Sequence, residues 1–442
     1  MDPIIFDRFT MAFSLAIHIV LAVMGVALPA VILAAEYLGV KYNDKEYSVL
    51  AKRLTVALLI LFAVGTASGM LVAVNLFFLW PNFAALVSKV AILPIYAEVF
   101  AFFSESIFLA LYIYSAGFFK NKYYHMAMMA IAAIGAAASA ALITILNAFM
   151  NTPVGFDIQT FLKTGVVANI HPLAVFTSPS SGIEVAHVIA TSYFAGAGIF
   201  LGYFAYRLLK AKGAKEKAYY EKALKLVFGI AIISTFFAIL TGILSIQSLY
   251  SIQPEKFAAI EMDMNPISHA PEIIGGIYSN NAIRDAIFIP NLQSILSGGS
   301  PNITVPGLSQ YPSSTWPPLF IHDLFDLMFF AGVAIGVFLL AVLLLYAKIR
   351  SIFTNKLVLK LLIVTAFLSV ILLENGWMVD EIGRQPWIIY NVMTVQQAAN
   401  TSPAIIPLAA MIVALYAILL PFTILVLRKI FAKRDLTTEL KA

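Results

Sequence analysis

Leu373-Glu374-Asn375-Gly376-Trp377-Met378-Val379-Asp380-Glu381-Ile382-Gly383-Arg384-Gln385-Pro386-Trp387 is the stretch whose reading decides the fold. It follows an apolar run from Leu357 to Leu373, and a polar loop is expected beyond it. Glu374 falls within the last turn of that run. A carboxylate in hydrocarbon costs several kcal/mol without a partner, so Glu374 reads as a functional residue rather than a packing one.

The composition around it agrees. The chain has 442 residues, 61% hydrophobic and 12% charged, with a mean hydropathy of +0.91. Soluble domains carry about 25% charged residues, so the class is an all-α polytopic membrane protein. Cysteine is absent, which excludes disulfides and thiolate metal sites. Nine apolar runs are long enough to span, near 10–36, 54–79, 92–118, 125–150, 183–206, 224–249, 319–347, 357–377 and 403–427. The first lacks the basic flank of a signal peptide and exceeds its apolar length, so it reads as a retained helix. Of the 28 Lys and Arg, 22 fall in alternate connections and the C-terminal tail, and 6 on the other side. That asymmetry predicts an N-terminus outside and a cytoplasmic C-terminus. The same basic loops carry no nucleic-acid signature. Two long outer connections, near 151–182 and 250–318, are expected to lack regular structure and to be functional. There is no internal repeat to suggest an inverted-repeat transporter.

Several polar residues sit inside the apolar runs. His18 lies ten residues after Arg8 in the first. Glu98 and Glu105, seven residues apart in the third, share one helix face. Buried carboxyls of this kind serve as proton relays or as interhelical hydrogen bonds. Asn147 precedes a Pro-Gly helix stop. His187 and Met328 lie early in the fifth and seventh runs. A lone buried His is as readily a hydrogen-bonded core residue as a ligand, whereas a lone Met in an apolar helix is usually core packing.

Taken together these motifs resemble the larger subunit of cytochrome bd-type quinol oxidases. The resemblance rests on Glu374-x-Gly376-Trp377 with Gly383-Arg384-Gln385-Pro386-Trp387, the Arg8/His18 spacing, and Phe-Phe-Ser-Glu105-Ser. It also rests on Gln253-Pro254-Glu255-Lys256-Phe-Ala-Ala-Ile-Glu261. It implies one haem-binding transmembrane domain over 1–442, with 250–318 as an extracytoplasmic quinol-binding loop. By the same resemblance His187 and Met328 ligate a low-spin haem b. His18 and Glu374 jointly hold a high-spin haem b and a haem d, or a further haem b. Trp377 lies between haems, while Arg8, Asn147, Arg384, Gln385 and Trp387 contact the cofactors. Lys256 and Glu261 handle quinol, and Glu98 and Glu105 carry protons to the site of oxygen reduction. The implied partners are a smaller transmembrane subunit II, small accessory single-helix subunits, membrane quinol and O2. The expected activity is that of a terminal quinol:oxygen oxidoreductase that generates a proton motive force without pumping. Two alternatives remain at this stage: a haem-binding, quinol-linked electron carrier without oxygen reduction, and a non-haem proton-coupled transporter. The sequence departs from the family pattern at Asp326, where Arg is usual. It departs again at Asn75-Leu-Phe-Phe-Leu-Trp80 and at Phe149.

Overall fold

The apolar runs fold into helices that continue well past the hydrocarbon. A computed structural model describes residues 3–280, 282–434 and 436–440. Among them nine helices are long and apolar enough to span: α1 Pro3–Lys41, α2 Lys45–Leu79, α3 Ile92–Tyr114, α4 Lys122–Asn151, α5 Ser181–Lys210, α6 Ala214–Ile252, α7 Ile321–Lys348, α8 Lys356–Gly383 and α9 Ile405–Lys433. The loop expected at 37–53 shrinks to the turn at 42–44. Hydropathy locates the edge of the apolar core, whereas the backbone keeps its internal hydrogen bonds until a capping residue stops it. Asp44 is that residue, accepting from the Glu46 and Tyr47 amides at 3.0 and 3.3 Å.

The same extension corrects the reading of the deciding stretch. The expected loop after Leu373 is helical through Gly383. Glu374, Trp377, Asp380 and Glu381 therefore stand on one helix at spacings of three and four, along one side.

Helix α5 is the central span, packed on α6, α8, α4 and α1. Gly198 and Gly202, one turn apart, lie against Ser369 and Ala366 of α8, so side chains there would separate the backbones. One continuous apolar core draws on α1 to α8, and smaller apolar clusters gather around Phe83 and around Phe257.

The two long connections are structured, against the expectation that they lack regular elements. The segment 151–182 holds a helix at Ile158–Thr164 and a 3-10 turn at Pro172–Thr177. The segment 250–318 opens with the helix Pro254–Ile260 and contains Leu292–Gly298. It also has three antiparallel strand pairs, Ile267–Ser268 with Thr304–Val305, Glu272–Ile274 with Ile287–Ile289, and Ile277–Ser279 with Ala282–Arg284. Phe257, Ala258, Ala259 and Ile260 are fully buried, which anchors this segment on α7 and α8. Apolar anchoring under a polar surface was hidden by the Pro, Gly and Asn content of its turns.

Candidate functional site

Two imidazoles are prepared in the same way. His187 Nδ1 lies 2.9 Å from Thr241 Oγ1 of α6. The Thr241 hydroxyl spends its own hydrogen on the Phe237 carbonyl at 2.7 Å. Nδ1 must therefore donate, which leaves Nε2 as a bare lone pair. His18 repeats the arrangement with α2: Nδ1 is 2.9 Å from Ser68 Oγ, and that hydroxyl donates to the Gly65 carbonyl at 2.8 Å. In both cases the next residue is glycine. A Cβ on Gly69 would stand 3.0 Å from His18 Cε1, and one on Gly242 3.5 Å from His187 Cε1. Orienting the imidazole through its other nitrogen is the usual support of a metal ligand. Neither Ser68 nor Thr241 stood out in the sequence. The signal was a hydroxyl followed by glycine, too common in membrane helices to single out alone.

His187 and Met328 line one cleft between α5, α6, α7 and α8, whose empty volume is ≈ 1470 Å³ with its open mouth included. Thr144, Trp377, Phe329 and Leu372 line other parts of it, and Asn147, Lys256 and Asp380 form its polar end. A Cβ on Gly376 would lie 3.1 Å from Met328 Sδ, so that glycine gives the thioether its room. Such a cleft, with a bare imidazole nitrogen and a thioether on separate helices, fits a six-coordinate low-spin haem. Glu374 has one carboxyl oxygen, Oε1, buried without a hydrogen-bond partner among the described residues. A buried carboxyl oxygen left unpaired fits an iron ligand. The donor set therefore fits haem at His18, His187, Met328 and Glu374.

Asp326 does not face the cleft. It accepts from the Gly275 amide at 2.5 Å and lies 3.4 Å from His322 Nε2, on the side of the segment 250–318. The His322 ring nitrogens face the Ile260 and Gly275 carbonyls at 2.7 and 3.2 Å.

A buried polar network lies at the Lys256 end of the cleft. Arg384 Nη1 donates to Asn147 and Asn151 Oδ1 at 2.9 and 2.8 Å, and Nη2 donates to Glu381 at 2.5 Å. Asn147 donates to Asp380 and Glu381 at 3.0 and 2.9 Å. Asn151 donates to Glu184 at 3.0 Å. Lys256, 3% exposed, donates to Asp380 Oδ1 at 2.6 Å, and Gln253 donates to the Asn151 carbonyl at 3.0 Å. Arg384 and Asn147, expected at a cofactor, thus contact each other and the acidic end of α8. A buried guanidinium needs carboxylate and amide acceptors, and these lie within reach. Gln385 and Trp387 are half-buried, with Trp387 Nε1 lacking a partner among the described residues. Arg8, expected at a cofactor, makes no close approach to the cleft. It lies on an exposed face of α1, while the adjacent Asp7 is fully buried.

Glu98 and Glu105 both face α4, as their spacing required. Ser139 donates to Glu98 at 2.6 Å, and Gly135 packs against the Glu105 backbone.

The segment 250–318 carries a second buried group of acids. Glu261, Asp263 and Glu272 are 2%, 5% and 2% exposed. Burial, with Glu272, Asp263 and Asp326 adding repulsion, holds the Glu261 carboxyl well above the usual carboxylate range. Burial pushes Asp263 up to about 8, against the bond from Gln293, and Glu272 up to about 7, with Asp326 adding. Between the ordinary carboxylate pKa and these raised values, the folded segment keeps protons that an unfolded one releases. Its stability is therefore greatest at acid pH and is lost as pH rises toward about 8, by up to ~1.4 kcal/mol per pH unit for each retained proton. Amide exchange across 261–275, corrected for its intrinsic pH dependence, should accelerate between pH 6 and 8.5. A flat profile would contradict this account.

Comparisons with known proteins agree with this geometry. The solved structure titled "The structure of bd oxidase from Geobacillus thermodenitrificans" superposes with a TM-score of 0.90 at 36% identity. The match covers 98% of this chain and 99% of that one. A Bacillus subtilis (strain 168) protein, provisionally named cytochrome bd menaquinol oxidase subunit I, is 34% identical over 452 residues, covering 100% of this chain and 99% of its own length. Cytochrome bd ubiquinol oxidase subunit 1 of the same strain is 26% identical over 415 residues, 90% of this chain and 86% of that one. The family profile described as Cytochrome bd terminal oxidase subunit I matches residues 6–435. Membership makes the chain a multi-pass bacterial plasma-membrane component of a terminal quinol oxidase, with haem cofactors, quinol as substrate and a subunit II as partner. A fold shared over nearly its whole length, and a donor set suited to haem, are those of the cytochrome bd terminal oxidase subunit I family, to which this chain belongs.

Proposed function

We propose that the chain oxidises membrane quinol at its outer segment and reduces O2 to water through three haems, separating charge without a pump. The observation that carries this reading is the pair of imidazoles whose Nδ1 is tied to a hydroxyl, with one of them sharing a cleft with Met328. A low-spin haem b would be held by His187 and Met328. A high-spin haem b and a haem d, or a further haem b, would be held by His18 and Glu374. Bound haems would supply reversible one-electron transfer and the chemistry of O2 reduction.

The chain's own residues do the rest. Lys256, buried and paired with Asp380 on α8, joins the quinol segment to the wall of the cleft. Glu261, Asp263 and Glu272 form the acid group through which quinol protons leave outward. Glu105 and Glu98 bring protons from the inner side to the oxygen site. The basic connections define that inner side, with the N-terminus outside. Two quinols supply the four electrons that reduce O2 and release four protons on the outer side, and the four protons consumed with O2 come from inside. Release and uptake on opposite faces are sufficient for a proton motive force. The cleft also weakens the carrier alternative, since Asp326 is turned toward His322 and Gly275 and away from it.

The purified two-subunit complex tests this directly. Its reduced-minus-oxidised spectrum should show low-spin haem b together with a high-spin pair, and it should consume O2 with quinol as sole donor. Material without haem bands would leave a transporter, and haem without O2 uptake would leave a carrier.

A further inference from the structure

A third hydrogen-bonded group lies at the opposite end of the α3–α4 pair from Glu98. His125, on the first turn of α4, places Nδ1 2.7 Å from Glu36 Oε1 of α1 and Nε2 2.8 Å from the Tyr112 carbonyl of α3. The Tyr112 hydroxyl donates to the other Glu36 oxygen at 2.8 Å. The rings of Tyr112 and His125 lie 4.1 Å apart. Three helices thus meet on one carboxyl, one turn inside the basic connection that holds Lys120 and Lys122.

The protons of this group can be counted. A carbonyl oxygen only accepts, so Nε2 carries hydrogen. A bare Nδ1 facing a bare carboxylate at 2.7 Å would set two lone pairs against each other. One proton must therefore lie between Nδ1 and Oε1, on either atom. The group holds a proton that can be handed on and replaced, and it is bonded on the far side to Tyr112.

Tyr112 is also in register with the two glutamates. Helices α3 and α4 run antiparallel, with Tyr112 facing His125 and Glu98 facing Ser139. Glu105 lies midway between Tyr112 and Glu98, seven residues from each, so the three share one helix face. On α4 the matching row runs from His125 to Ser139, fourteen residues or ~21 Å of helix.

We propose that His125 and Glu36 form the inner entry of the proton route whose later stations are Glu105 and Glu98. The pair takes a proton from the inner water and releases one along the Tyr112 face toward Glu105, with no change in the number of electrons. This rests on the relay and the orientation given under Proposed function. The bland reading is a clasp joining α1, α3 and α4.

The test uses the intact oxidase in liposomes with His125→Phe, which keeps a ring against Tyr112 but carries no proton, and with Glu36→Gln. Turnover with quinol should fall about tenfold at inner pH 8, and less at inner pH 6. Imidazole in the inner medium should restore the His125→Phe enzyme. Anaerobic reduction of the haems by quinol, which needs no inner proton, should keep its wild-type rate in both. Glu105→Gln separates the two readings. If it stops turnover while both entry variants run at wild-type rate, the entry is refuted and the relay stands. If Glu105→Gln runs normally, the relay itself fails and the entry with it. Equal loss of turnover and haem reduction, without imidazole rescue, leaves the clasp and overturns the proposal.

Discussion

Glu374→Ala is expected to cut quinol-driven O2 uptake by at least about 100-fold while leaving the low-spin haem signal in place. The argument starts from burial. Glu374 Oε1 has no hydrogen-bond partner among the described residues, and an unpaired buried carboxyl oxygen is destabilising unless something outside the chain takes it up. If that group is a haem iron, alanine removes the only donor α8 supplies to it. Losses from supporting residues around a metal run to about 10–100-fold, and a ligand should exceed that. The low-spin site survives because its donors stand on α5 and α7. Spectra and O2 uptake on the same preparation make the comparison. Turnover near wild type would remove Glu374 from the site.

The second large effect concerns His187 and its support. His187→Ala should abolish the low-spin spectrum and slow quinol oxidation by about 100-fold, because the remaining thioether is a weak donor. Thr241 gives a graded version of the same test. Thr241→Ser keeps the hydroxyl that accepts from Nδ1 and should behave as wild type. Thr241→Val keeps the shape but removes the acceptor, so the imidazole is no longer held as the tautomer with Nε2 bare. Haem retention should then drop about 10-fold or more, with a measurable shift in the midpoint potential of the low-spin band. Equivalence of Ser, Val and wild type would mean that the hydroxyl contributes only packing.

The fold class, the nine spans and the basic asymmetry were legible in the sequence. Hydrophobic length and composition are properties of the chain alone, whatever it packs against. Glu98 and Glu105 could be put on one face because helical spacing fixes direction. Glu374, His18 and His187 stood out because a lipid-facing helix has little use for them, whereas Met328 could be singled out only through the family resemblance. Tertiary structure alone decided the rest. Sequence spacing says nothing of which hydroxyl on another helix takes an imidazole nitrogen, so Ser68 and Thr241 stayed hidden. It could not show that Asp326 turns toward His322 and Gly275, or that Lys256, Asp380, Arg384 and Asn147 form one network. The His125–Glu36–Tyr112 group joins residues up to 89 positions apart. Hydrogen bonds between helices depend on rotation and register, which packing fixes only after the spans themselves exist.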